Sequence, residues 1–173
     1  MIFEKDNYYH LFNRGCNKEL IFKDESDFQK LMTIIRESNF KDYIDLCAFS
    51  LMPNHYHFLV KQKTETQATK WIKYIFNGYS QYFNHKYNRS GTLFEGRVKS
   101  KLINKMEYME KIVHYIHNNP TDGLLKKYCS ISLLEDADLI SQEFYILFFN
   151  SIKNYKKLFN EFNFNEMDDD FDF

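Results

Sequence analysis

Ile44 to Met52 and His55 to Val60 are two apolar, β-branched and aromatic runs separated only by Pro53-Asn54. Two strands joined by so short a turn must lie antiparallel, because a parallel return needs a crossover of a dozen residues or more. Pro53 sits at the tip, where its missing amide donor costs nothing. The hairpin therefore rules out an all-parallel sheet. The segments around it alternate between strand and helix patterns, so the expected class is α+β, an antiparallel sheet with helices packed against it.

The returning strand reads Asn54-His55-Tyr56-His57-Phe58-Leu59-Val60. Alternation puts Tyr56, Phe58 and Val60 on one face as core, and His55, His57 and Leu59 on the other. Two imidazoles two positions apart grip a metal ion from one side; they are also what two ordinary surface histidines look like. The pair alone leaves both readings open.

Elsewhere the patterns are plain. Tyr8 to Asn13 reads as a strand, followed by an Arg14-Gly15 turn. A helix capped by Ser26 is expected to run to about Asn39 on the stripe Phe28, Leu31, Met32, Ile35. Thr66 to about Lys86 reads as an amphipathic helix burying Ala68, Trp71, Ile72, Ile75, Tyr79 and Phe83. Val98 to Ile103 is a further strand. Asn104 caps a helix that starts at Lys105, buries Met109, Ile112, Val113 and Ile116, and stops at Pro120. In that helix Tyr115 and Asn119, four apart, share a face distinct from the core stripe, and His114 and His117 read as surface residues. Residues 124–140 give no clear pattern. Ser141 to about Phe162 reads as one last helix, and Glu166 to Phe173 as a disordered acidic tail.

Charge is distributed in blocks. The net charge of -1 conceals a surplus of +8 over residues 61–127 (13 basic, 5 acidic) and of -7 over residues 128–173 (3 basic, 10 acidic). A basic middle suits a polyanion, or else a solvated lysine-rich helix face. Cys16, Cys47 and Cys129 lie far apart with no CxxC, which argues for free thiols in a reducing, cytoplasmic setting and against a cysteine zinc site. The opening residues turn polar at once, unlike a signal peptide, and no apolar run reaches the about 18–20 residues that span a bilayer.

Three motifs in order, Asn54-His55-Tyr56-His57, then Gly91-Thr92-Leu93-Phe94-Glu95-Gly96-Arg97-Val98-Lys99-Ser100, then Tyr115-Ile116-His117-Asn118-Asn119-Pro120, resemble those of the single-tyrosine HUH transposases. The nearest branch is the REP-associated tyrosine transposases, and the likeness runs from about Tyr8 to Pro120. It implies a ferredoxin-like domain over residues 1–123, with a C-terminal helical extension over residues 124–173. It implies nicking and rejoining of hairpin-bearing single-stranded DNA through a 5′-phosphotyrosine. Tyr115 falls on the nucleophile, and His55, His57 and Asn119 on the ligands of a divalent ion. Mg²⁺ or Mn²⁺ is expected, with Mn²⁺ bound more tightly because imidazole suits it better. Arg14, Arg97, Lys99, Lys101 and Lys73 are the expected DNA contacts. Members occur as monomers and dimers, so a homodimer is allowed. Three departures stand out: Tyr56 where an aliphatic is usual, Phe94-Glu95 in place of Trp-Gln, and Asp122 near a usual arginine. The competing expectations are a domesticated protein that binds DNA hairpins without cutting, and a metal hydrolase unrelated to DNA. The latter is disfavoured because no carboxylate or serine constellation accompanies the histidines.

Overall fold

The computed structural model describes residues 4–64 and 67–164. Strands β1 (Tyr8–Arg14), β2 (Ile44–Met52), β3 (His55–Gln62) and β4 (Lys99–Ile103) form one sheet in the order β2-β3-β1-β4, with every neighbouring pair antiparallel. Helix α1 (Glu25–Glu37) connects β1 to β2, and α2 (Gln67–Lys86) connects β3 to β4. This is the ferredoxin-like α+β arrangement. Helix α3 (Met106–Asn118) follows β4, and α4 (Gly123–Lys127), α5 (Gln142–Phe149) and α6 (Ile152–Glu161) complete the chain.

Both faces of the sheet are covered, which is why β2 is buried along almost its whole length instead of alternating. On one face Tyr56 stacks on Phe76 at 4.0 Å between ring centroids, and Phe58 meets Trp71 edge-on at 5.8 Å, placing α2 there. The other face carries α3 and the C-terminal helices. There Tyr145 of α5 donates its hydroxyl to the Cys47 carbonyl at 2.9 Å, beside the irregularity between Leu46 and Ala48 in β2. The free edge of β2 is shielded by Cys129, which bridges Ser50, and by Ser130, whose hydroxyl accepts from Phe49 N at 2.8 Å and donates to Phe49 O at 3.1 Å. Covering an edge strand in this way blocks edge-to-edge pairing.

Several boundaries differ from the sequence expectation. The cap of α1 is Asp24, not Ser26: Asp24 accepts from Asp27 N, while the Asp27 carboxylate accepts from Asp24 N, a reciprocal box that satisfies two orphan donors. Ser26 instead donates its hydroxyl to Asp24 at 2.7 Å. Helix α3 begins at Met106 with Lys105 as the cap residue, so Asn104 caps nothing. The single helix expected over residues 141–162 is two, because Asn150 adopts a left-handed φ of 61° and Ser151 starts a new helix by accepting from Asn154 N. Asp122 finds a local use, capping α4 through Leu125 N at 2.9 Å. The acidic stretch Glu166 to Phe173 and the expected start of α2 at Thr66 lie outside the described residues.

His114 and His117 are not surface residues. Both are buried, His114 among the rings of Phe149, Tyr155, Phe159 and Phe162, and His117 between Tyr155 and Ser130. The α3 face that they occupy is the one that α6 covers.

Candidate active site

The strand register assembles the site. Within the antiparallel ladders, Arg14 lies opposite His55, and Phe12 lies opposite His57 on one side and Lys99 on the other; His10 lies opposite Lys101. Residues directly opposite share a face. His10, Phe12, Arg14, His55, His57, Lys99 and Lys101 therefore all project toward the layer that contains α3.

His57 is fully buried and His55 partly so, with their rings edge-on at 5.2 Å between centroids. Tyr115 comes down from α3 onto His57 and His10: its ring stands edge-on to His57 at 5.2 Å and to His10 at 6.4 Å. Asn119 is the C-cap residue of α3 and keeps helical dihedrals (φ -55°, ψ -44°), so the face shared with Tyr115 persists to it. Its Nδ2 donates to the Tyr115 carbonyl at 3.1 Å, which turns the amide oxygen to the other side. The phenol and imidazoles, remote in sequence, thus meet in one place.

The hydrogen bonds of the rings constrain their protons. His55 Nδ1 lies 2.7 Å from Asn54 Oδ1, an oxygen that only accepts, so Nδ1 carries the proton and Nε2 the lone pair. His57 Nδ1 lies 2.9 Å from His10 Nε2. Burial holds the pKa of His57 well below the usual imidazole value, with His10 and His55 adding repulsion; burial and then Lys101 push His10 down to about 3. His57 and His10 are therefore neutral at neutral pH, the form of an imidazole that binds metal. Neutral imidazole nitrogens and an amide oxygen, the donor types that His55, His57 and Asn119 offer, are ones that a divalent ion accepts. Among the described residues no group of three or more His, Cys, Asp and Glu side chains is arranged to hold a metal ion.

The expected DNA contacts divide into two groups. Lys99 and Lys101 are exposed on β4, on the site face, and Arg97 is exposed in the turn just before it. Arg14 is also on the site face, but its guanidinium is engaged by Glu95 in a two-pronged ion pair, the second contact at 3.2 Å. Hydrogen bonding to Arg14 draws the Glu95 carboxyl below its usual pKa. The backbone reinforces the pairing, since Glu95 N donates to Arg14 O at 2.9 Å. Gly15 makes the turn possible: a Cβ there would meet the Glu19 carbonyl oxygen at 2.0 Å. Lys73, by contrast, is exposed on α2, in the layer across the sheet from the histidines.

Sequence reasoning missed His10 and the role of Glu95. Period-two alternation from Arg14 back through Phe12 puts His10 on the site face, but its contact with His57 depends on a register that only the folded sheet displays.

A paired-imidazole strand thus lies under a helix-borne tyrosine on a ferredoxin-like sheet. The family model described as "Transposase IS200 like" matches residues 4–119. This chain belongs to the IS200-like transposase family. A REP-associated tyrosine transposase bound to a REP hairpin shares its fold, with a TM-score of 0.58 and 16% identity, over 80% of this chain and 84% of that one. A protein from Deinococcus radiodurans R1 assigned as a transposase aligns at a TM-score of 0.47 and 17% identity, over 69% of this chain and 95% of that one. No curated protein matches the chain in sequence. Among the described residues no helix is long and apolar enough to cross a membrane.

Proposed function

We propose that the protein is a metal-dependent transposase that nicks and rejoins single-stranded DNA beside a hairpin, with Tyr115 as the nucleophile. The observation that carries this reading is the edge-on approach of the Tyr115 ring to His57, from a helix whose next turn bears Asn119. Family membership supplies the transposase class.

The chemistry follows from what a phosphodiester resists. Its negative oxygens repel a nucleophile, and its leaving alkoxide is strongly basic. Tyr115 Oη forms the new bond to phosphorus as the bond to the 3′ oxygen breaks. The phenol loses its proton, the departing oxygen gains one, and the 5′ phosphate stays on the tyrosine. Reversal with another 3′ hydroxyl rejoins the strand, because the ester conserves the bond. A phenol of ordinary pKa, about 10, is mostly protonated at pH 7, so the site must favour its ionised form. His55 and His57, with Asn119, would hold Mg²⁺ or Mn²⁺, which when bound supplies positive charge for the phosphate and the departing oxygen. Being uncharged, these ligands leave the ion its full field. Lys99 and Lys101, exposed on the site face of the sheet, and Arg97, exposed just before them, suit a phosphate backbone. The structural relative is bound to a REP hairpin, and a folded hairpin is the substrate assigned here by that likeness.

The test mixes the full chain with hairpin-bearing single-stranded DNA and Mn²⁺, then runs a denaturing gel. A protein band shifted by covalent DNA, lost on chelation, is expected. Binding on a native gel with no covalent band would favour a domesticated hairpin-binding protein.

A further inference from the structure

His10 is a buried imidazole outside the proposed ligand set, and its contacts are lopsided. Nε2 faces His57 Nδ1 at 2.9 Å, whereas Nδ1 is buried with no hydrogen-bond partner. The ring also stacks on Phe12 at 4.7 Å, tilted 25°. A phenyl ring would keep that stacking without burying an orphaned nitrogen. Packing therefore does not account for an imidazole at this position.

The contact with His57 does. One proton lies between the two facing nitrogens, and two neutral arrangements are available. If His10 donates, His57 carries its own proton on Nε2 and that nitrogen cannot ligate. If His57 donates from Nδ1, its Nε2 holds the lone pair, matching the state that Asn54 imposes on His55. Only the second arrangement makes the two strand neighbours equivalent as ligands. Asn54 and His10 then perform the same task, each accepting from the Nδ1–H of one histidine.

Building on the metal site of the proposed function, we infer that His10 is a positioning residue. Its Nε2 accepts the proton of His57 Nδ1, fixing the tautomer and ring orientation that present His57 Nε2 to a divalent cation. Acceptors behind metal-binding histidines raise ligand basicity and lock the ring, and their loss weakens metal binding by roughly 10- to 100-fold.

Long-range ¹H–¹⁵N spectra of the metal-free full chain read the tautomers directly, and calorimetry with Mn²⁺ alone reads affinity. The parent is expected to show His57 protonated on Nδ1. His10→Phe should mix the His57 tautomers and weaken Mn²⁺ binding by about 10- to 100-fold. His10→Gln, whose amide oxygen reaches the place of Nε2, should restore both. A parent with His57 protonated on Nε2 overturns the inference, as does a His10→Phe variant with unchanged tautomer and affinity. If the parent binds no Mn²⁺ yet shows the Nδ1 tautomer, and His10→Phe loses it, the control of the His57 tautomer by His10 holds and the metal reading is overturned.

Discussion

Helix α3 lies between two groups of histidines, His114 and His117 on one side and His10, His55 and His57 on the other, whose surroundings differ. On the side of the C-terminal helices, His117 is satisfied at both nitrogens. Ser130 spends its only proton on the Phe49 carbonyl, so His117 Nε2 must donate to Ser130, and His117 Nδ1 accepts from the Tyr155 hydroxyl. The result is a closed joint tying α3 to α6 and to the edge of β2. On the sheet side, His55, His57 and His10 form an open chain of contacts that ends at Tyr115 and the lysines of β4. Apart from His55, which is partly buried, every histidine in the two groups is buried. What differs is where the contacts lead, to the Phe49 backbone in one case and to the Tyr115 ring in the other.

Breaking each side in turn tests the distinction. His57→Ala should reduce Mn²⁺ affinity by more than the roughly 100-fold expected of any outer-shell change, read by calorimetry. An unchanged titration would remove His57 from the site. His117→Ala should instead unfold the joint: losing the ring and two buried hydrogen bonds costs about 3–5 kcal/mol, a drop in Tm of roughly 10 °C, while Mn²⁺ binding by the folded protein persists. A stable variant with lost metal binding would invert the assignment.

Smaller effects sharpen the comparison. Glu95→Gln releases Arg14 from its carboxylate partner, so single-stranded DNA should bind a few-fold more tightly. The salt dependence should steepen by about 0.7 in logarithmic slope if one phosphate contact is gained. A pH-dependent effect concerns His114, which burial holds down to about 4. Its folded pKa lies below the unfolded value of about 6.5. Between those limits the unfolded chain binds the extra proton, so stability present above pH 6.5 declines as pH falls toward 4. One such group contributes a slope of at most about 1.4 kcal/mol per pH unit. His114→Phe, in a pocket already lined by rings, should flatten the acid limb of urea unfolding by that amount and change stability at pH 7 little.

The fold was largely legible because its main segments carry strong local patterns. The Ile44–Val60 hairpin follows from two apolar runs and a Pro-Asn turn, and α2 from an unbroken 3.6-residue stripe. Tyr115 and Asn119 were legible as one helical face, whereas the approach of Tyr115 to the histidines rested on the family motifs, not on periodicity. His114 and His117 were misread because amphipathicity was judged on α3 alone, whereas the covering residue, Tyr155, lies about forty residues later. The break at Asn150 was hidden by apolar spacing that continues across it; the Asn-Ser pair that reverses and recaps the chain was the available signal. Glu95 was visible as a departure from the family pattern, but its pairing with Arg14 is a contact across eighty-one residues that no local rule supplies.

The central claim is that the phenol of Tyr115 takes the phosphate. Proteolysis of the covalent protein–DNA product, followed by mass spectrometry of the peptide that retains nucleotide, tests it most directly. The account predicts the modification on Tyr115 alone and its disappearance in Tyr115→Phe, with DNA binding preserved. A nucleotide mapped to any other residue, or an adduct undiminished in that variant, would contradict it.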